Sequence, residues 1–209
     1  AYKEMRLRMR LGLTSFKHVG IFPEQAANWN FIYDNCRALA SDGAAAMGIA
    51  GGKAPDAMPD TTAPAGAPAT TASEGVPSGA APKGRTVPRK PVTPRVLNLF
   101  AYTGGASLAA RAAGAETTHV DSVKQVVTWS RENMELSGLD GIRWIVEDAL
   151  KFVRREVRRG SRYNGIILDP PAYGRGANGE KWILEENLNE LLRLCGELLD
   201  PEHGFLVLN

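Results

Sequence analysis

From Arg95 onward the hydrophobic pattern of the chain alternates between short apolar runs and longer amphipathic stretches, with polar residues gathered at the junctions. Val96, Leu97, Leu99 and Phe100 make a run of the length of a buried strand. The run breaks at Tyr102-Thr103-Gly104-Gly105, and Ala106–Ala113 resumes with strong helix formers. Thr117–Val120 reads as a second strand ending at Asp121, and Val123–Ser137 as a helix closed by Gly138. Ile142–Val146 gives a third strand ending at Glu147-Asp148. In Ala149–Arg159, Ala149, Leu150, Val153 and Val157 share one helical face, while Arg154, Arg155, Arg158 and Arg159 crowd the other. Gly165–Leu168 is a fourth strand entering Asp169-Pro170-Pro171, a long helix spans Trp182–Leu199, and Phe205–Leu208 is a last strand-like run. Strands alternating with helices predict an α/β fold, a doubly wound parallel sheet with right-handed crossovers. Its ligand crevice belongs outside the carboxyl ends of the strands, where these polar junctions fall.

The N-terminal part follows a different pattern. Met5–Leu13 alternates apolar and basic residues, which predicts a strand with Arg6, Arg8 and Arg10 on one face. A solvated edge strand explains that face, and contact with RNA phosphates is the sharper alternative. Phe22-Pro23-Glu24-Gln25 reads as a helix start, and Trp29, Ile32, Tyr33, Cys36 and Leu39 continue with helical spacing. From Gly43 to Thr93 Ala, Gly, Pro, Thr and Ser dominate and periodicity disappears, so this stretch is expected to be a disordered insertion. The predicted division is therefore an extension over 1–42, an insertion over 43–94 and a ligand-binding domain over 95–209.

Composition narrows the classes. A net charge of +2 means that any nucleic-acid footprint must come from local clusters such as Arg6–Arg10 and Arg154–Arg159. No stretch is apolar and long enough to span a bilayer, so no membrane partner is expected. Cys36 and Cys195 suit neither a disulfide framework nor a metal site and fit a reducing, cytoplasmic compartment. Both sit on apolar helical faces and are expected in the core, and His18, His119 and His203 form no cluster. The chain begins at Ala1 and stops at Asn209 directly after an apolar run. Both ends read as cut, which leaves room for an upstream targeting segment and further strands downstream.

Four candidate features end the four strands. Gly104 and Gly105 allow close backbone approach where a helix N-terminus offers unpaired donors. Asp121 can accept two hydrogen bonds from a ribose diol, or simply cap the next helix. Asp148 can accept from an adenine amino group and is an equally good cap. Asp169-Pro170-Pro171-Ala172-Tyr173-Gly174 is the most discriminating of the four. Two prolines fix the backbone and remove donors, which leaves carbonyls and a carboxylate to hold an exocyclic amine and Tyr173 to stack a base.

These segments resemble class I S-adenosylmethionine-dependent methyltransferases, in the group similar to bacterial large-subunit ribosomal RNA methyltransferases. VLNLFAYTGGASLAA matches the cofactor loop, THVDSVKQVVTWSREN the second strand and helix, RWIVEDALKFV the third, and YNGIILDPPAYGRG the fourth. RLGLTSFKHVGIFPEQAANW near the start extends the likeness to nearly all of the chain outside the insertion. The resemblance implies a Rossmann-like fold, S-adenosyl-L-methionine as cofactor, no metal, and a base of RNA, chiefly ribosomal RNA, as methyl acceptor. It also implies that Phe100, Tyr102, Gly104 and Gly105 cradle the methionine part, Asp121 takes the ribose, and Asp148, flanked by Glu147 and Ala149, takes the adenine. Asp169, Pro170, Pro171 and Tyr173 would line the junction of cofactor and substrate and carry catalysis. The chain departs from the pattern at Asn98, where an acid is common, and in an aromatic placed one residue later than in the tightest amine-methylating pattern. The competing readings are methylation of a protein or small molecule, a nicotinamide-dependent oxidoreductase, and an inactive cofactor-binding module. Tyr102–Ser107 lacks the spaced three-glycine fingerprint that an oxidoreductase would need.

Overall fold

The computed structural model describes residues 5–12, 20–45, 93–176 and 179–209. A short 3₁₀ turn over Pro23–Gln25 leads into α1 (Ala26–Ala45). The main domain then runs β1 (Arg95–Leu99), α2 (Gly105–Ala112), β2 (Glu116–Asp121), α3 (Lys124–Leu136), β3 (Arg143–Val146), α4 (Ala149–Arg158) and β4 (Gly165–Leu168). It closes with β5 (Tyr173–Arg175), β6 (Lys181–Ile183), α5 (Leu184–Leu198) and β7 (Phe205–Leu208).

Five strands form one parallel sheet in the order β3-β2-β1-β4-β7. The chain winds outward from β1 to β3 and then returns to place β4 beside β1, so the direction reverses between these two strands. Leu99 pairs with Leu168 in register, and the segments leaving β1 and β4 therefore emerge side by side. Helices cover both faces of the sheet. Leu97, Leu99, Ile166 and Leu168 pack with Phe152, Val153, Leu191, Leu194, Cys195 and Leu198 of α4 and α5. The alternate positions Val96 and Ile167 pack with Ile32, Tyr33, Cys36, Ala109 and Ala110 of α1 and α2. Burial on both faces explains why these strands read as continuous apolar runs.

The segment 5–12 forms no strand. Its alternation survives as burial, with Met5 in the core and Arg6, Arg8 and Arg10 exposed. Its backbone partners, however, are side chains of α3 and the residue that follows it. The Arg8 N–H donates to Ser137 Oγ at 2.9 Å, and Ser137 Oγ donates to the Arg8 carbonyl at 2.9 Å. The Arg10 N–H donates to Asn133 Oδ1 at 2.8 Å, and Trp129 Nε1 donates to the Arg10 carbonyl at 3.2 Å. Extended backbone needs its polar groups paired, and here a helix meets that need in place of a neighbouring strand.

Three other expectations are corrected. Trp182 lies in β6 and not in the long helix, because Tyr173–Arg175 and Lys181–Ile183 pair as an antiparallel hairpin before α5 begins. The helix predicted to stop by Gly43 runs to Ala45, and Pro94 is buried with its carbonyl accepting from the Glu116 N–H at 2.8 Å. The rest of the expected insertion, 46–92, lies outside the described residues, as does His18. Finally, the arginine face of α4 is largely consumed by ion pairs. Arg154 grips Glu190 through two bonds of 2.9 and 2.8 Å, and Arg155 grips Glu147 through two of 2.7 and 2.6 Å. Arg159 pairs with Glu156 at 2.8 Å. Glu156 itself is only 2% exposed on the face expected to be apolar. Burial alone would raise its carboxyl, but hydrogen bonds from Ser161, Tyr163 and Arg159 together hold it below the usual range.

Candidate functional site

An open cleft of about 1080 Å³ lies at the carboxyl ends of the strands. Phe100, Tyr102, Asp121, Glu147, Asp148, Ala149, Asp169, Pro170, Pro171 and Tyr173 all line it. Gly104 and Gly105 do not. They border an adjoining hollow of about 50 Å³ that shares Phe100, Tyr102 and Asp169 with the cleft.

The β1–α2 loop has an unusual backbone. Phe100 (φ 54°), Tyr102 (φ 47°) and Gly104 (φ 91°) occupy the left-handed region, which is uncommon for the two aromatic residues. Such a conformation persists only where its surroundings hold it. Here the Tyr102 N–H donates to Asp121 Oδ2 at 2.9 Å, and the Ala101 N–H donates to the Val120 carbonyl at 3.1 Å. Ser130 Oγ donates to the Tyr102 carbonyl at 2.5 Å, and Asn133 Nδ2 donates to the Thr103 carbonyl at 3.0 Å. Thr103 Oγ1 donates to the Gly20 carbonyl at 2.6 Å. A Cβ at Gly105 would run into the Trp29 ring, so this glycine is required by close approach.

Behind the loop lies a buried polar chain. Asn98 Nδ2 donates to Ser107 Oγ at 2.9 Å, and Ser107 Oγ lies 3.0 Å from His119 Nδ1. Asn98 thus faces Ser107 inside the fold. Burial pushes His119 down to about 3, so its ring is neutral, and its Nε2 finds no hydrogen-bond partner among the described residues.

The acids of the cleft differ in how they are held. Burial raises the Asp121 carboxyl above its usual range, against N–H groups of Val123, Tyr102 and Ser122 that pull it down. Both of its oxygens already accept backbone bonds, and three N–H groups on a carboxylate's roughly four acceptor sites leave one open. Asp148 caps α4 by accepting from the Lys151 N–H at 2.9 Å. Glu147 is neutralised by Arg155. Asp169 Oδ1 accepts from Asn209 Nδ2 at 3.2 Å, and no donor reaches its other oxygen among the described residues.

The proline segment differs from expectation in one respect. The Pro171 carbonyl does not serve the cleft as a free acceptor, because Trp182 Nε1 donates to it at 2.7 Å. The Trp182 ring packs 4.8 Å from that of Phe100. The hairpin that supplies Arg175, Lys181, Trp182 and Ile183 to the cleft was missed in the sequence. Its signal was present in Gly174, Gly176 and Gly179, which punctuate the residues between two short strands. Neither cysteine reaches the cleft, and burial pushes both thiols up to about 12. Among the described residues no cluster of His, Cys, Asp or Glu could hold a metal, and no helix is long and apolar enough to cross a membrane.

A parallel sheet with a glycine turn after its first strand, and acids at the ends of the next three, defines a nucleotide-type cleft at a switch point. The chain belongs to the S-adenosylmethionine-dependent methyltransferase family, whose model matches residues 82–208. Among solved structures it resembles the SAM-dependent methyltransferase from Agrobacterium tumefaciens, with 36% identity, a TM-score of 0.70, and coverage of 98% of this chain and 50% of that one. It is 33% identical over 118 residues to ribosomal RNA large subunit methyltransferase K/L of Shewanella frigidimarina, covering 54% of this chain and 16% of that protein. It is 35% identical over 104 residues to ribosomal RNA large subunit methyltransferase I of Klebsiella pneumoniae, covering 48% of this chain and 23% of the relative. The chain therefore spans only part of each of these proteins.

Proposed function

We propose that the chain binds S-adenosylmethionine in the cleft and transfers its methyl group to a base of RNA, with large-subunit ribosomal RNA as the substrate. The observation that carries this reading is the convergence of Asp121, Glu147, Asp148 and Asp169 with the Asp-Pro-Pro segment on one cavity. The volume, about 1080 Å³, exceeds what one small ligand fills and accommodates a nucleoside cofactor with a second base beside it. The residues fit the cofactor chemically. Asp121 offers an open acceptor site to a diol, Asp148 and Ala149 line the part of the same cleft where a purine would lie, and Phe100 and Tyr102 of the β1–α2 loop wall it where the methionine part would lie.

The cofactor, when bound, supplies a methyl group already activated on a sulfonium, so the protein's work is positioning and exclusion of water. Phe100 and Tyr102 wall the cavity with aromatic surface, and the strained loop fixes them in place. Tyr173, 81% exposed, presents a flat face for an acceptor base. Asp169 can accept an N–H of that base at its unengaged oxygen and orient the nitrogen lone pair for in-line attack. A base in a duplex would have to leave the stack to reach it. The named relatives favour RNA over a protein or small-molecule acceptor.

The test is methyl transfer from tritiated S-adenosylmethionine to protein-free large-subunit ribosomal RNA. Ribonuclease-sensitive label in the RNA fraction is expected. Label that appears only in added protein, or only in small molecules, contradicts the reading.

A further inference from the structure

Arg175 and Lys181 are directly opposite each other in the β5–β6 hairpin, in register and both exposed. The flanking rungs are the Gly176 N–H to Glu180 carbonyl bond (2.7 Å) and the Leu184 N–H to Ala172 carbonyl bond (2.9 Å). The Arg175–Lys181 pair therefore falls at a non-hydrogen-bonded position, where facing side chains come closest. Like charges so placed destabilise a hairpin. Elsewhere Arg10, Arg95, Arg111, Arg154, Arg155, Arg159 and Arg193 each meet an acid, whereas Arg6, Arg8, Arg131, Arg143, Arg158 and Arg162 meet none among the described residues. What sets the hairpin pair apart is that two cations face each other in register inside the cleft. Among the described residues no ion pair reaches Arg175 or Lys181. The nearest acid in sequence, Glu180, lies on the alternate face of the hairpin and reaches Lys151 at 3.9 Å.

The same face carries a second element. Tyr173 and Ile183 are the next in-register pair on that face, and all four residues line the cleft. Two residues along a strand are about 7 Å apart, a spacing at which one nucleotide can reach from a stacked base to its phosphate. An unneutralised cation pair beside an exposed aromatic ring suits an anionic polymer of flat bases better than it suits an acidic peptide.

We propose that Arg175 and Lys181 form a phosphate subsite that grips the RNA backbone next to the base on Tyr173. This inference rests on the RNA reading above and specifies how the cleft holds that substrate. Two cations converging on one phosphodiester relieve their mutual repulsion only when RNA is bound, so the hairpin becomes firmer on substrate binding.

The experiment measures binding of a fluorescein-labelled single-stranded RNA oligonucleotide to the full 209-residue chain saturated with S-adenosylhomocysteine, over a series of potassium chloride concentrations. The double variant Arg175→Gln/Lys181→Gln should bind about tenfold more weakly at low salt. Its plot of log affinity against log salt should be shallower by about 0.7, the value of one single-strand phosphate contact. Its affinity for S-adenosylhomocysteine, read by calorimetry, should be unchanged, and the charge-preserving exchange Arg175→Lys/Lys181→Arg should restore the salt slope. An unchanged slope in the glutamine variant overturns the inference alone. Loss of S-adenosylhomocysteine affinity in that variant also overturns it, because the cations would then serve the cofactor. Absence of RNA binding by the unsubstituted chain overturns the RNA reading beneath it.

Discussion

The β1–α2 loop and the β5–β6 hairpin line the same cleft and are held in different ways. The loop is tied from several directions: Asp121 and Val120 hold its N–H groups, Ser130 and Asn133 hold its carbonyls, and Thr103 anchors it to Gly20. Those ties are buried or half-buried and sustain two non-glycine residues in the left-handed region. The hairpin has its own two strands and, among the described residues, one side-chain hydrogen bond to the Asp-Pro-Pro segment, from Trp182 to the Pro171 carbonyl, with the Ile183 N–H held by Asn187. Its outer face is exposed and carries like charges in opposition. A small cofactor of fixed shape rewards a preorganised wall, because ordering is completed at folding. A polymer substrate that must insert one base rewards a wall that completes its electrostatics on binding.

This contrast predicts that loop-side changes alter cofactor affinity and hairpin-side changes alter RNA affinity. The largest effect belongs where the two walls meet. Asp169→Ala should lower the rate of methyl transfer by at least about a hundredfold with the thermal midpoint nearly unchanged, as read by tritium incorporation and calorimetric melting. Undiminished turnover would remove Asp169 from the site. Next is Asp121→Asn, which replaces an acceptor of two backbone N–H bonds by a group that must turn a donor toward one of them. Affinity for S-adenosylmethionine should fall between about tenfold and a hundredfold in calorimetry. Asn133→Leu leaves the Thr103 carbonyl and the Arg10 N–H unpaired. It should cost about 1–3 kcal/mol of stability in urea titration and weaken cofactor binding through a loosened loop. Normal cofactor affinity in that variant would show that the loop holds its shape without α3.

The last effect leaves both walls of the cleft untouched and concerns pH. His119 sits near 3 in the folded state against 6.5 when free, so the unfolded chain takes up its proton first. Stability is full above pH 6.5 and declines as the pH falls toward 3, by about 1.4 kcal/mol per pH unit for this one group. Urea midpoints between pH 6.5 and 5, compared between the unsubstituted chain and a His119 variant, read the effect. His119→Gln should flatten that slope, and an equal slope in the variant would assign it elsewhere.

The centre of the sheet was legible because β1 and β4 are buried on both faces and end on glycine or on an acid followed by proline. Val96–Leu99 and Gly165–Leu168 admit no competing period. The segment 5–12 misled because alternation reports which residues are buried and not what the backbone bonds to. Arg8 and Arg10 alternate as in a strand while their backbone is paired by Ser137, Asn133 and Trp129. Trp182 misled for the opposite reason, since a three-residue strand abutting a helix is too short to show its own period. Arg154 and Arg155 of α4 looked free because their acids lie outside that helix, Glu147 just before it and Glu190 on α5. The strand-end acids were found individually, whereas the network behind Gly104, from Asn98 through Ser107 to His119, depends on strand register and could not be read from spacing.

The most direct test of the central claim is a calorimetric titration of the 209-residue chain with S-adenosylmethionine and, separately, with NAD. The account predicts saturable one-to-one binding of S-adenosylmethionine that weakens in Asp121→Asn, and no binding of NAD. Tight NAD binding, or S-adenosylmethionine affinity indifferent to Asp121, would contradict it.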